Sequence, residues 1–119
     1  MGSVPLVDLA IGRLRSHVVE TAVNVHHGRT QLVAHVADRV HVSVEEPIVL
    51  GTAGALGQLR GWIDQRPVLV TNADAWLPAD LSSFCTGWDG ERIRLLVVDD
   101  PRRGDFGRYR YCGARSCRG

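Results

Sequence analysis

Apolar positions along this chain change period several times, and each change marks the border of a short segment. Behind Pro5, the stretch PLVDLAIGRLRSH spaces Leu6, Leu9, Ala10 and Leu14 at helical intervals, and proline is tolerated in a first helical turn, so a helix is expected. ETAVNVHH is a short β-branched run that reads as a strand, and GRTQLVAHVADR returns to helical spacing at Leu32, Val33, Val36 and Ala37. VHVSVEE then alternates Val40, Val42 and Val44 as a strand does. The same order follows again: a helix through TAGALGQLRGWI, an apolar strand PVLVTNA, a helix over PADLSSFCTGW and an apolar strand RIRLLVVDD. Strands that look buried and alternate with helices predict an α/β fold, a mostly parallel sheet with helices on both faces.

In open sheets of this kind ligands bind beyond the carboxyl ends of the strands. The residues to inspect there are His26 and His27, Glu45 and Glu46, Asn72 to Asp74, and Asp99 and Asp100. After Pro101 the text becomes rich in Arg and Gly, with no further helical pattern. No internal repeat or low-complexity linker interrupts the alternation. The 119 residues allow one small domain with one core, assigned to 1–119.

Composition narrows the partners. The net charge of +1 gives no electrostatic case for nucleic acid or for an anionic membrane surface. All fourteen Lys+Arg cations are Arg, so a mechanism that needs a lysine ammonium cannot be run by this chain alone. Cys85, Cys112 and Cys117 show no CxxC spacing and cannot all pair, so neither a disulfide framework nor a structural zinc site is indicated. No apolar run approaches the roughly 20 residues of a membrane span, and the beginning lacks the charged-then-apolar order of a signal peptide. A cytoplasmic location is expected.

EEPIVLGTAGALGQL carries the main chemical question. Thr52 is a candidate N-cap, and Gly51 and Gly54 lack the Cβ atoms that hold a ligand away from the main chain. Free N–H groups there would suit a base carbonyl or a phosphate oxygen, whereas the plain alternative is a small-residue helix packed closely on the sheet. Asp74, just beyond an apolar strand, is placed either to ligate Mg²⁺ beside substrate phosphates or to cap the turn before Pro78. Adjacent residues of a strand point to opposite faces, which argues against His26 and His27 sharing one zinc ion. Asp99 and Asp100 read as a solvated strand end, Tyr109 and Tyr111 as edge packing, and Trp62, Trp76 and Trp88 as core or rim.

Taken in order, EEPIVLGTAGALGQLRGW, PVLVTNADAWLPADL and DFGRYRYCG resemble consecutive blocks of the sugar-1-phosphate nucleotidyltransferases, and the mannose-1-phosphate guanylyltransferase-like branch most of all. VPLVDLAI and AVNVHHGRTQLVAHV also fit the early helix and second βα unit of that family, so the resemblance covers about residues 3–113 and leaves 114–119 as an atypical tail. It implies a Rossmann-like, GT-A-type, three-layer α/β/α domain. It also implies transfer of a nucleotidyl group from a nucleoside triphosphate to a sugar 1-phosphate, giving an NDP-sugar and pyrophosphate with Mg²⁺ as cofactor. On the same resemblance Leu50, Gly51, Thr52 and Ala53 line the nucleotide base pocket together with Glu46 and Asn72. Asp74 is the metal ligand, and Gly107 meets the sugar through its backbone. No catalytic residue is assigned.

The family opens with a strand that runs into a glycine-rich basic loop gripping the triphosphate, and nothing before Val4 resembles it. That strand belongs between TAVNV and PVLVTN, so the resemblance implies an incomplete sheet that lacks its first central strand. The family's second metal-binding Asp comes later than this chain runs, and ARSCRG matches nothing expected after YCGA, which suggests a truncation or a change of reading frame. The leading expectation is therefore a nucleotidyltransferase domain without turnover of its own. The alternatives are a non-catalytic nucleotide-binding module and an interaction domain whose missing strand is donated by a partner or a second copy.

Overall fold

The computed structural model describes residues 3–75 and 79–96, and the chain divides between Leu77 and Pro78 into two compact units. The first unit opens with α1 (Leu6–Leu14), started by the Pro5 carbonyl, which accepts from the amides of Asp8 at 3.0 Å and Leu9 at 3.2 Å. Its inward face is Val7, Ala10, Ile11 and Leu14, with Leu14 buried, while Leu6 and Leu9 are exposed. The expected stripe is thus rotated: 7, 10, 11 and 14 form a complete i, i+3, i+4, i+7 set, and 6 and 9 lie beside it.

β1 (Ala22–Val25) and β2 (His41–Val44) pair in parallel, Ala22 opposite His41 and Val25 opposite Val44. Parallel neighbours need a crossover, and α2 (Arg29–Val36) supplies it. Gly28 makes the turn into α2 with φ at 61°, a backbone region that favours glycine. Val36 and Val25 are the most fully buried apolar side chains of this βαβ unit. In β2 the outcome reverses the expected parity: Ser43 is buried, as is Glu45 just beyond the strand, whereas Val42 and Val44 are half-buried. A small hydroxyl and a carboxylate with hydrogen-bonding partners tolerate the interior, so alternation of valines alone does not identify the inner face.

The helix expected through TAGALGQLRGWI is two helices, α3 (Gly51–Gln58) and α4 (Arg60–Ile63), which meet at the buried Leu59. α4 ends on Asp64 at φ 48° and Gln65 at φ 60°. Arg66 follows, donating to the carbonyls of Trp62 at 2.6 Å and Ile63 at 3.0 Å and pairing with Glu20 at 2.6 Å. Its guanidinium also lies 5.0 Å from the Trp62 ring, whose other neighbour is the stacked His41 ring at 5.1 Å.

The strands expected at PVLVTNA and RIRLLVVDD are not formed among the described residues. Residues 67–72 follow α4 without regular structure, Val68 and Val70 stay about half exposed, and 93–96 form no element either. The cause is pairing. A strand exists only beside another backbone, and the described sheet consists of β1 and β2 alone, with neither remaining apolar run paired to them among the described residues. The supported architecture is mixed α/β with a two-stranded parallel sheet and helices.

In the second unit α5 (Leu81–Thr86) is shorter than the helix expected over PADLSSFCTGW. It begins where Asp80 accepts from the amides of Ser82 and Ser83 at 3.0 and 3.3 Å. Beyond it, Asp89 accepts from the amides of Glu91 and Arg92, and the guanidinium of Arg94 lies over the Phe84 ring. Those two amide bonds hold the Asp89 carboxyl below the usual aspartate range. No described helix is long and apolar enough to cross a membrane.

Candidate functional site at the carboxyl ends of the parallel strands

β1 and β2 end side by side, so the turns that follow them, 26–28 and 45–50, share one end of the sheet. Glu45 is the centre of this end. It is 1 % exposed, and its Oε1 accepts from Nδ2 of Asn24 at 2.8 Å while its Oε2 accepts from the amide of Leu50 at 3.0 Å. Its own amide donates to the Val25 carbonyl at 2.9 Å, and its carbonyl lies 2.9 Å from Nδ1 of His26. A carbonyl oxygen can only accept, so Nδ1 of His26 carries a proton in this contact. The Leu50 amide first, then Asn24, and then the nearby His26 hold the Glu45 carboxyl below the usual glutamate range, against the opposing effect of burial.

Glu46 turns outward and pairs with Arg29 at the start of α2. Together with Pro47 these two line a shallow, open hollow of about 560 Å³. Ile48, Val49 and Leu50 follow as three exposed apolar residues, 66, 56 and 38 % accessible. The expected pocket residues Leu50, Gly51, Thr52 and Ala53 are consecutive at the entrance to α3 and within one segment of Glu46.

Thr52 is not the N-cap. α3 begins at Gly51, its N-cap is Leu50, and no side chain caps its first turn. The cap lies two residues earlier than expected because the Leu50 amide is already held by Glu45 and Gly51 reverses the chain with φ at 69°. The glycines therefore have internal duties as well. A Cβ on Gly51 would be strained by that φ, and one on Gly54 would stand 2.6 Å from the Leu50 Cβ, so close helix packing explains Gly54 without any ligand.

Asn72 and Asp74 lie in a turn closed by the Ala75 amide on the Asn72 carbonyl at 3.3 Å, and both are exposed. The Ala75 carbonyl accepts from Arg13 of α1 at 3.5 Å. None of the described hydrogen bonds or ion pairs joins this turn to the Glu45 cluster. His26 and His27 meet edge-on at 4.7 Å, because they lie past the end of β1 where strand alternation no longer separates them. Among the described residues no three His, Cys, Asp or Glu side chains are gathered for a metal ion. Gly107, Asp99, Asp100, Trp76, Tyr109, Tyr111, Cys112 and Cys117 lie outside the described residues.

Sequence reasoning named Glu45 only with Glu46 among the strand-end residues to inspect, gave a role to Glu46 alone, and passed over Asn24 and Arg29. Asn24 occupies an exposed strand position, so nothing in the sequence marks it as the partner of a buried carboxylate.

No protein-family model matches the chain, and neither curated proteins nor solved structures include a match.

Proposed function

We propose that this chain is a domain of the sugar-1-phosphate nucleotidyltransferase type that binds the base end of a nucleoside triphosphate at the junction of β2 and α3. The observation that carries the reading is the uncapped first turn of α3, entered through Gly51 beside the exposed Leu50 at the carboxyl end of a parallel strand. The three ordered sequence blocks support it independently. In the proposed reaction an oxygen of a sugar 1-phosphate attacks the α-phosphorus of the triphosphate, the α–β phosphoanhydride bond breaks, and pyrophosphate leaves with the bonding electrons. Leu50, Gly51, Thr52, Ala53, Glu46 and Asn72 serve the nucleotide, and Gly107 serves the sugar. This is cytoplasmic NDP-sugar chemistry, and the full GT-A-type three-layer sheet belongs to the same proposal.

Such chemistry depends on positioning and charge balance. Mg²⁺ takes one or two carboxylates together with phosphate oxygens and water. Asp74, exposed in its turn, fits as one such attachment point. When bound, Mg²⁺ would neutralise phosphate charge there. No catalytic residue is assigned in this proposal, and the domain is read as binding nucleotide without turnover of its own.

Equilibrium dialysis with GTP tests this reading, with and without Mg²⁺. The wild type is expected to bind one nucleotide, and Asp74→Asn to lose the Mg²⁺-dependent part of the affinity. An Asp74→Asn profile identical to wild type removes Asp74 from the site.

A second reading is favoured by one observation. Among the described residues β1 has β2 on one side only and the apolar run 67–70 joins no ladder, which suits an interaction domain completed by a strand from a partner or a second copy. It predicts a complex heavier than one chain in sedimentation equilibrium, whereas the nucleotidyltransferase reading predicts nucleotide binding by a single chain.

A further inference from the structure

Glu45 is a buried carboxylate whose two oxygens hold two different parts of the molecule. Oε1 is tied to β1 through Asn24, and Oε2 to the far end of segment 46–50 through the Leu50 amide. Both partners are neutral donors, and Arg29, at the same end of the sheet, pairs with Glu46 instead. The carboxylate is therefore held by charge-assisted hydrogen bonds rather than by a salt bridge. An apolar side chain of similar size would fill the space at least as cheaply. What it could not do is fix the Leu50 amide.

We propose that Glu45 is the positioning residue of this site: its ionised carboxylate latches segment 46–50 across the ends of β1 and β2 and so sets where the amides of Gly51, Thr52 and Ala53 stand. The inference rests on the nucleotidyltransferase reading only for the identity of the ligand presented to those amides. Ile48, Val49 and Leu50 remain exposed because the latch holds their segment by its two ends.

Protonation loosens the latch. Both described partners donate to the carboxylate, so neutralising it removes the charge assistance from the Asn24 and Leu50 contacts together. The groups facing Glu45 are Asn24 and His26 from β1 and its end, His27 against His26, the Arg29–Glu46 pair from the start of α2 and the segment itself, and Gln58 of α3, which donates to the Val44 carbonyl at 2.7 Å. The lowered carboxyl pKa gives the sign. The latch is fully formed above the ordinary glutamate range and opens as pH falls through the lower folded value.

The test follows the Glu45 side-chain carboxyl carbon and the Leu50 amide by NMR in the labelled full chain as pH is lowered. The two signals are expected to share one midpoint, below the ordinary glutamate range. At neutral pH the Leu50 amide should exchange with solvent about tenfold faster in Glu45→Gln than in wild type, the size expected for loss of a charge-assisted hydrogen bond. A Leu50 amide that ignores the carboxyl titration overturns the proposal, and this result needs no variant to fold. Asn24→Ala should raise the Glu45 midpoint while Leu50 still follows it. Repeating the titration with Mg²⁺-GTP separates the two ideas. Tracking without nucleotide binding at any pH supports the latch and removes the nucleotide. Binding of equal strength on both sides of the midpoint overturns the latch as a positioning device.

Discussion

Gly54 and Gly57 stand one turn apart in α3, and their surroundings predict opposite effects for the same substitution. A Cβ on Gly57 meets nothing within 4 Å, so Gly57→Ala should stabilise the protein by about 0.5–1 kcal/mol through helix propensity alone. A Cβ on Gly54 would stand 2.6 Å from the Leu50 Cβ, an atom too near the main chain to swing aside. Overpacking of this kind costs about 1–3 kcal/mol, which outweighs the propensity gain, so Gly54→Ala should destabilise. Urea unfolding of the two variants checks the pair. Stabilisation by both would mean that Leu50 does not lie over Gly54. Gly51 differs again, since its φ of 69° makes any side chain cost about 1–2 kcal/mol, so a Gly51→Val variant would report strain together with any effect on a ligand.

Among the elements, α1 and the α2 end are clasped by Asp8, which accepts from Arg39 at 2.7 Å and lies 2.8 Å from Nε2 of His35. The Arg39 hydrogen bond first and the His35 contact next hold the Asp8 carboxyl below the usual aspartate range. A depressed carboxyl contributes stability above its unfolded value and loses it as pH falls through the folded one. Asp8→Asn should therefore melt below wild type at neutral pH, with the gap closing in acid and shrinking in high salt, because the pair is partly exposed. A gap that persists in acid would assign the effect to packing rather than to charge. The same elements show how far sequence carries. Helical spacing located α1, α2, α3 and α5, and β-branched runs located β1 and β2, because these signals are local. PVLVTNA and RIRLLVVDD read equally well as strands and form none among the described residues, because a strand depends on a neighbour that no local pattern reports. The expected cap at Thr52 fails for a related reason, since the Leu50 amide is claimed by the Glu45 carboxylate just beyond β2. Glu45 itself was visible only as half of an acidic pair.

Across the molecule as a whole, four of the described guanidiniums pair with carboxylates: Arg29 with Glu46, Arg39 with Asp8, Arg66 with Glu20 and Arg92 with Asp89. A triphosphate needs cations, and with no Lys in the chain only arginines can supply them. The proposed site at the entrance to α3 is built from backbone amides, so in this reading the base end dominates affinity. Without Mg²⁺, guanosine and GTP are expected to bind within about tenfold of each other, a difference that equilibrium dialysis resolves easily. A far stronger grip on GTP would point to a phosphate-binding surface elsewhere in the chain. The site is legible as a whole only where sequence and fold coincide. Glu46 and the run from Leu50 to Ala53 fall together at one sheet end, while Asn72 and Asp74 occupy a separate turn and join the site only by proposal. The most direct test is an amide NMR map of the labelled chain titrated with Mg²⁺-GTP. The account predicts saturable shifts centred on Gly51, Thr52 and Ala53, with smaller ones at Glu46 and Leu50. Spectra unchanged at those amides under saturating nucleotide would contradict it.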